Sequence, residues 1–291
     1  MDIATDTLRS ISATATREGA GVTVFRTIGT PRLRELDPFL LLDHIDSDDP
    51  DHYVAGFTSH PHRGFVTLTY ILDGIMTHKD SLGNSGDLGP GSVQWMKAAS
   101  GIIHSEMPKQ KDGLLRGFQL WINLPAAHKM DRPEYQEYAA TDFPVVRTTA
   151  YTVKVLVGSF DNAIAPIKDD LTSTSLYDVQ IRPGARFHVT VPAGHNRFIY
   201  VFEGGGKLLG HDMGSRSLFV PDTNGGAGNS AEFIAGEHGA RFLMADAKPI
   251  SEPIVRQGPF VMNTRAEIEQ AVHDYQTNEL VRDKALFHRN K

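Results

Sequence analysis

The stretch S-H-P-H-R-G-F at residues 59–65, taken with I-I-H-S-E-M-P at 102–108, decides how this chain is read. The first holds two histidines two positions apart, and the second a histidine and a glutamate at the same spacing. Side chains at i and i+2 of a β-strand point to one face of the sheet. If both stretches are strands, His60 and His62 share a face, and so do His104 and Glu106. Two such faces brought together inside a sandwich or barrel converge four ligand groups on one point. Three neutral imidazoles and one carboxylate carry a single negative charge, which suits a divalent first-row metal and leaves about two octahedral positions open. Such a vacancy separates a catalytic site from a closed structural one, as it does for zinc. A lone His-x-His on an exposed strand is common and carries little. Two such pairs in apolar context, with the glycine-rich turn L-G-N-S-G-D-L-G-P-G-S (82–92) between them, carry much more. With no thiolate the site does not favour soft ions. Iron, manganese, nickel, copper, cobalt and zinc all fit the ligand types.

Working outward, many short segments rich in β-branched and aromatic residues end in turns. Examples are G-V-T-V-F-R-T-I-G (21–29), Y-T-V-K-V-L-V-G-S-F (151–160), A-E-F-I-A-G (231–236) and A-R-F-L-M-A-D-A (240–247). This pattern predicts an all-β protein of antiparallel sandwich or barrel type. T-L-T-Y-I-L-D-G (67–74) and R-F-I-Y-V-F-E-G (197–204) align without gaps, pairing Tyr70 with Tyr200, Asp73 with Glu203 and Gly74 with Gly204. The repeat predicts a duplicated β domain: a metal-binding copy over 1–135, a degenerate copy over 145–262, and a helix and tail over 263–291. The stretch 130–144 reads as the linker. The second copy has His188, His195, His211 and His238 but no His-x-His or His-x-Glu, so it reads as scaffold. In the tail, Thr264 and Glu267 form a capping box, followed by a stripe of Ile268, Ala271, Val272 and Tyr275. The stripe reads as a docking face against the β domains.

Lys plus Arg is 29 and Asp plus Glu is 35, a formal charge of −6. That balance is wrong for direct gripping of a phosphate backbone. Cysteine is absent, which removes disulfides, thiolate metal sites and Cys nucleophiles and fits a reducing compartment. The N-terminal stretch has no apolar core of signal-peptide length, and no run approaches the roughly 18 apolar residues of a membrane helix. The chain reads as soluble and cytoplasmic, with no membrane partner and no direct nucleic-acid contact.

The residues L-D-P-F-L-L-L-D-H, H-P-H-R-G-F, H-K-D-S-L-G-N-S-G-D-L-G-P-G-S-V-Q-W-M, G-I-I-H-S-E-M-P, G-F-Q-L-W-I-N-L-P, P-A-G-H-N-R-F-I-Y-V-F-E-G and E-P-I-V-R-Q-G-P-F-V-M-N-T-R-A-E-I-E-Q-A resemble, in order, the pirin family of the cupin superfamily. The resemblance runs from about residue 9 to 282. It implies a bicupin with a C-terminal helix and one mononuclear metal, usually Fe(2+), on His60, His62, His104 and Glu106. It departs at Val66, where the family typically has Glu, and at Ala98-Ala99-Ser100, where it often has Gly-Arg. Both changes bear on substrate preference more than on metal binding.

The resemblance implies two functions. One is a quercetin 2,3-dioxygenase-type oxidoreductase, with Glu106 taking the enolic proton of a flavonol. Phe57, Met76, Trp95, Met96 and Phe118 are then candidates for an apolar slot around a planar ring, though each taken singly reads as ordinary core. Gln119 is a candidate donor to the ligands. The other function is a redox-dependent regulator that binds a protein partner, with the metal as its switch. An open apolar pocket beside the metal favours the enzyme. A closed pocket with a charged rim favours the regulator.

Overall fold

In a computed structural model the described residues are 8–221 and 230–289. These described residues are all-β with one α-helix, as the turn-bounded segments predict. Among the described residues twelve strands precede residue 139. They are β1 (Leu8–Ser12), β2 (Thr14–Glu18), β3 (Val22–Arg26), β4 (Phe39–Ser47), β5 (Phe57–His62), β6 (Phe65–Asp73), β7 (Met76–Asp80), β8 (Ser85–Leu88), β9 (Val93–Lys97), β10 (Ile102–Pro108), β11 (Leu115–Asn123) and β12 (Glu134–Tyr138).

The chain divides into two compact units whose ends interleave. One holds Ala15–Thr141 and everything from Ile250 onward; the other holds the residues up to Thr14 and Asp142–Pro249. The sequence-based division at 135, 145 and 262 follows chain order, whereas the units exchange their terminal segments. The stretch 130–144 likewise does more than link. It supplies β12, which pairs antiparallel with β9 and parallel with Leu286–Arg289. Tyr135 at its centre is fully buried among Met96, Ala98, Ile102 and Ala285.

In the first unit an eight-stranded sheet runs β2-β3-β4-β11-β6-β9-β12 and ends on Leu286–Arg289, while a smaller sheet runs β5-β10-β7-β8. Residues 250–291 belong to this unit, where α1 (Arg265–Gln276) begins with the expected capping box of Thr264 and Glu267. Ile268 and Ala271 pack with Phe260, Met262 and Leu280. The expected stripe is partly displaced: Tyr275 is exposed, and Asp274 is buried in its stead. The reason is an ion pair, because Asp274 Oδ2 accepts from Arg63 Nη1 at 2.7 Å and from Arg282 Nη2 at 2.9 Å.

The other unit carries a nine-stranded sheet around a core that is apolar almost throughout, including Val153, Val179, Phe187, Phe233, Phe242 and Met244. Residues 231–236 and 240–247, predicted as separate strands, lie in one strand, Ser230–Ala247. The repeat predicted from Gly74 and Gly204 holds locally. Both glycines take positive φ at the end of the matched segment, and a Cβ on Gly204 would stand 2.2 Å from the Gly239 carbonyl oxygen. Only glycine fits there. His188, His211 and His238 are exposed, and the His195 ring lies 2.7 Å from Asp246. None joins a metal-type cluster among the described residues. No helix of the described residues is long and apolar enough to cross a membrane.

Candidate metal centre

The site is built from strand parity. Burial alternates along β10, with Ile102, His104 and Glu106 inside and Ile103 and Ser105 less so, which puts His104 and Glu106 on one face as their spacing predicts. The β5–β10 register pairs His104 with His60 and Glu106 with Phe57. From one pair to the next β10 advances two residues and β5 three, so β5 carries a bulge beside Thr58 and Ser59. Bulges of this kind re-aim side chains near active sites. Here the bulge falls between His60 and Phe57, beyond the regular His60–His62 step.

The ligand atoms of His60, His62 and His104 lie within 4.8 Å of one another. His60 Nε2 and His62 Nε2 are 2.9 Å apart. Two imidazoles bound cis at about 2.1 Å to one metal would stand about 3 Å apart, so the pair is already at coordination spacing. His60 Nδ1 is 2.7 Å from the Thr58 carbonyl oxygen. A carbonyl can only accept, so Nδ1 carries the proton and Nε2 is left as the ligand atom. His104 Nδ1 and Nε2 are buried with no hydrogen-bond partner. Burial, then the neighbouring histidines, holds His104 and His62 well below the usual imidazole range. Neutral, buried, unsatisfied nitrogens are what a metal would complete, and the residues fit that group.

Glu106 is buried but stands outside the cluster of three. Its Oε1 accepts from Thr69 Oγ1 at 3.0 Å and its Oε2 from Gln119 Nε2 at 2.8 Å. Trp121 Nε1 donates to Gln119 Oε1 at 3.3 Å, which fixes which end of the amide faces Glu106. Gln119 is thus the donor the sequence reading named. Thr69 and Trp121 were missed. The F-V-T-L-T alternation at 65–69 held the signal, because Phe65, Thr67 and Thr69 must share a face.

The same parity corrects other expectations. Thr69 pairs with Gln119 on β11 and with Gln94 on β9, so those residues face the site. Val66, Tyr70, Trp95 and Phe118 occupy the alternate positions and face the other way. Trp95 and Phe118 therefore line no slot beside the triad, and Phe118 stacks on His44 at 4.5 Å. Val66 removes no group from the site, because its side chain leaves the opposite face of β6. Met76 and Met96 are core residues. Of the five slot candidates, Phe57 alone borders the cavity described next.

An open cavity of about 510 Å³ reaches His60 and His62, with Phe57, Leu41, Trp121 and Gln119 on its walls. Glu18, Arg26, Asp43 and Arg256 add charge to its lining. The pocket is therefore open, as the enzyme reading expects, yet not wholly apolar. On the far side of Glu106, the strand register places His78 directly opposite it, and His78 Nε2 lies 2.7 Å from Glu137 Oε2.

Residues 21–122 match the family described as Pirin, and 176–281 match the Pirin C-terminal cupin domain. A Pseudomonas aeruginosa protein whose name proposes a quercetin 2,3-dioxygenase is 47% identical over 266 residues, covering 89% of this chain and 92% of that one. A pirin-like protein of Caulobacter vibrioides is 41% identical, covering 92% and 96%. The crystal structure of a quercetin 2,3-dioxygenase from Acinetobacter baumannii superposes with a TM-score of 0.85 at 31% identity, covering 94% of this chain and 96% of that one. With a histidine triad of two buried rings and one half-buried ring, two antiparallel β units and matches along most of its length, the chain belongs to the pirin family.

Proposed function

We propose that this chain is a mononuclear-metal dioxygenase acting on flavonols such as quercetin, with His60, His62, His104 and Glu106 as metal ligands. The observation that carries the reading is the open cavity. Its walls include His60 and His62, and Gln119 joins it to Glu106 by a single hydrogen bond. When bound, a divalent ion, iron in this reading, would stabilise the deprotonated substrate and hold the reactants together. Phe57, Leu41 and Trp121 offer apolar surface to a planar ring. Glu106 accepts the enolic proton. Thr69 and Gln119 each give a hydrogen bond to one carboxylate oxygen, holding Glu106 oriented for that task. The quercetin dioxygenase names borne by relatives at 47% and 31% identity support this substrate class.

The test is oxygen uptake by metal-loaded protein with quercetin. Oxygen and flavonol should disappear in equal amounts and only with metal present. Flavonol binding without oxygen uptake would refute the enzyme reading. The charged lining of Glu18, Arg26, Asp43 and Arg256 favours the second reading, a metal-dependent regulator with a protein partner. That reading requires a partner affinity that differs between ferrous and ferric protein.

A further inference from the structure

The charges around the cavity are unequally committed. Arg26 holds Asp43 through a two-point pair, Nε to Oδ1 at 2.7 Å and Nη2 to Oδ2 at 2.6 Å, and holds Glu18 at 2.7 Å. Both carboxylates that line the cavity are thereby taken by one arginine. Arg256 lines the same cavity from the strand Val255–Gln257 and has no carboxylate in contact among the described residues. It makes two long hydrogen bonds, to the carbonyls of Gly258 and Leu40, at 3.4 Å each. A guanidinium has five N–H donors, so most of its capacity is unspent within the protein.

Its position is nonetheless defined. The guanidinium carbon sits over the Trp121 ring, 4.7 Å from the centroid. Phe65 packs against that ring at 4.4 Å, and the His62 ring meets it nearly edge-on at 5.3 Å. Trp121 is buried, so it forms a fixed shelf between the arginine at the exposed mouth and the triad. From the two distances to the Trp121 centroid, the guanidinium and the His62 ring are within 10.0 Å of each other. A stacked arginine keeps its N–H edge in plane, the geometry that grips a carboxylate at two points.

Resting on the flavonol reading of this cavity, we infer that its substrate is an anionic planar aromatic: it bears a carboxylate or phenolate at the end remote from the triad, and Arg256 anchors that group. Arg256 is thus a specificity-determining residue. The neutral edge of the ligand lies along Phe57 and Leu41, and its chelating oxygens point to the end of the cavity where His60 and His62 would hold the metal. Arg26 does not compete for the anion because Asp43 and Glu18 already occupy it.

The test measures binding by calorimetry of 3-hydroxyflavone and of its 4′-carboxylate to metal-loaded wild type, Arg256→Gln and Arg256→Lys. A phenolate arm uses 4′-hydroxy-3-hydroxyflavone below and above its ionisation. Wild type should prefer the carboxylate by about 2- to 5-fold, the upper part of the range for a charged contact at an exposed mouth. The preference should vanish in Arg256→Gln and shrink in Arg256→Lys, and in wild type it should fall as salt rises. A phenolate preference alone would identify that source of the anion and support the anchor. Equal affinity in wild type for all anionic and neutral forms would overturn it, as would a preference that survives Arg256→Gln, or no binding of any compound. Arg256 is exposed, so an unchanged melting temperature should accompany these shifts. Oxygen uptake with neutral 3-hydroxyflavone separates the two claims. Uptake without anion preference defeats the anchor alone, and preference without uptake defeats the dioxygenase reading alone.

Discussion

Gln119 Nε2 donates to Glu106 Oε2 at 2.8 Å, so a side chain on the cavity wall directly holds the buried carboxylate of the site. A hydrogen bond to a charged group is worth about 1.5–3 kcal/mol. Gln119→Leu should therefore lower flavonol turnover by about 10- to 100-fold while the fold persists. Glu106→Gln should go further. Loss of a positioned base typically costs about 10²–10⁴ in rate, and loss of the charge should also weaken metal retention. Steady-state kinetics on metal-loaded variants checks both. A Glu106→Gln enzyme of wild-type rate would remove Glu106 from the mechanism.

Metal-free protein should lose stability as pH falls from 7.5 to 5.5. Burial keeps His62 and His104 neutral in the folded state, below their usual range. The unfolded chain takes up protons on both near pH 6.5. The unfolded state therefore binds more protons, and stability rises with pH across this window. Each histidine contributes at most about 1.4 kcal/mol per pH unit. Urea midpoints at the two pH values measure the slope, and His104→Phe should reduce it. A midpoint independent of pH would show that neither imidazole is held neutral.

Asp274 and Arg282 should behave differently despite sharing an ion pair. Arg63 and Asp274 are both 2% exposed at their side chains, whereas Arg282 is half exposed. Asp274→Ala leaves the Arg63 charge buried without its partner, which costs about 3–5 kcal/mol. Arg282→Ala removes an exposed partner and should cost under about 1 kcal/mol. Denaturant melts of the two variants give the contrast. Equal losses would mean that the buried pair is not what docks α1.

The histidine arrangement was legible because it rests on two-residue spacing alone. His60 with His62, and His104 with Glu106, need only the pleat of a strand. Side chains brought in by other strands were less legible, because register is set in three dimensions. Trp95 and Phe118 were candidate slot residues, yet they sit out of phase with Gln94 and Gln119, which face the site. Val66, noted because the family typically has Glu there, also faces away. The buried Asp274 defied a helix stripe chosen by hydrophobicity, since its partner Arg63 lies 211 residues earlier. The exchange of terminal segments between the two units, with residues up to Thr14 in one and those from Ile250 in the other, leaves no mark in local composition.

The central claim is that His60, His62, His104 and Glu106 hold one metal ion. Metal content of anaerobically purified wild type and of a His60→Ala, His104→Ala double variant tests it most directly, with circular dichroism confirming that both fold. One metal ion per chain in wild type and near-complete loss in the double variant is the predicted result. Full occupancy in the folded double variant would place the metal elsewhere and contradict the account.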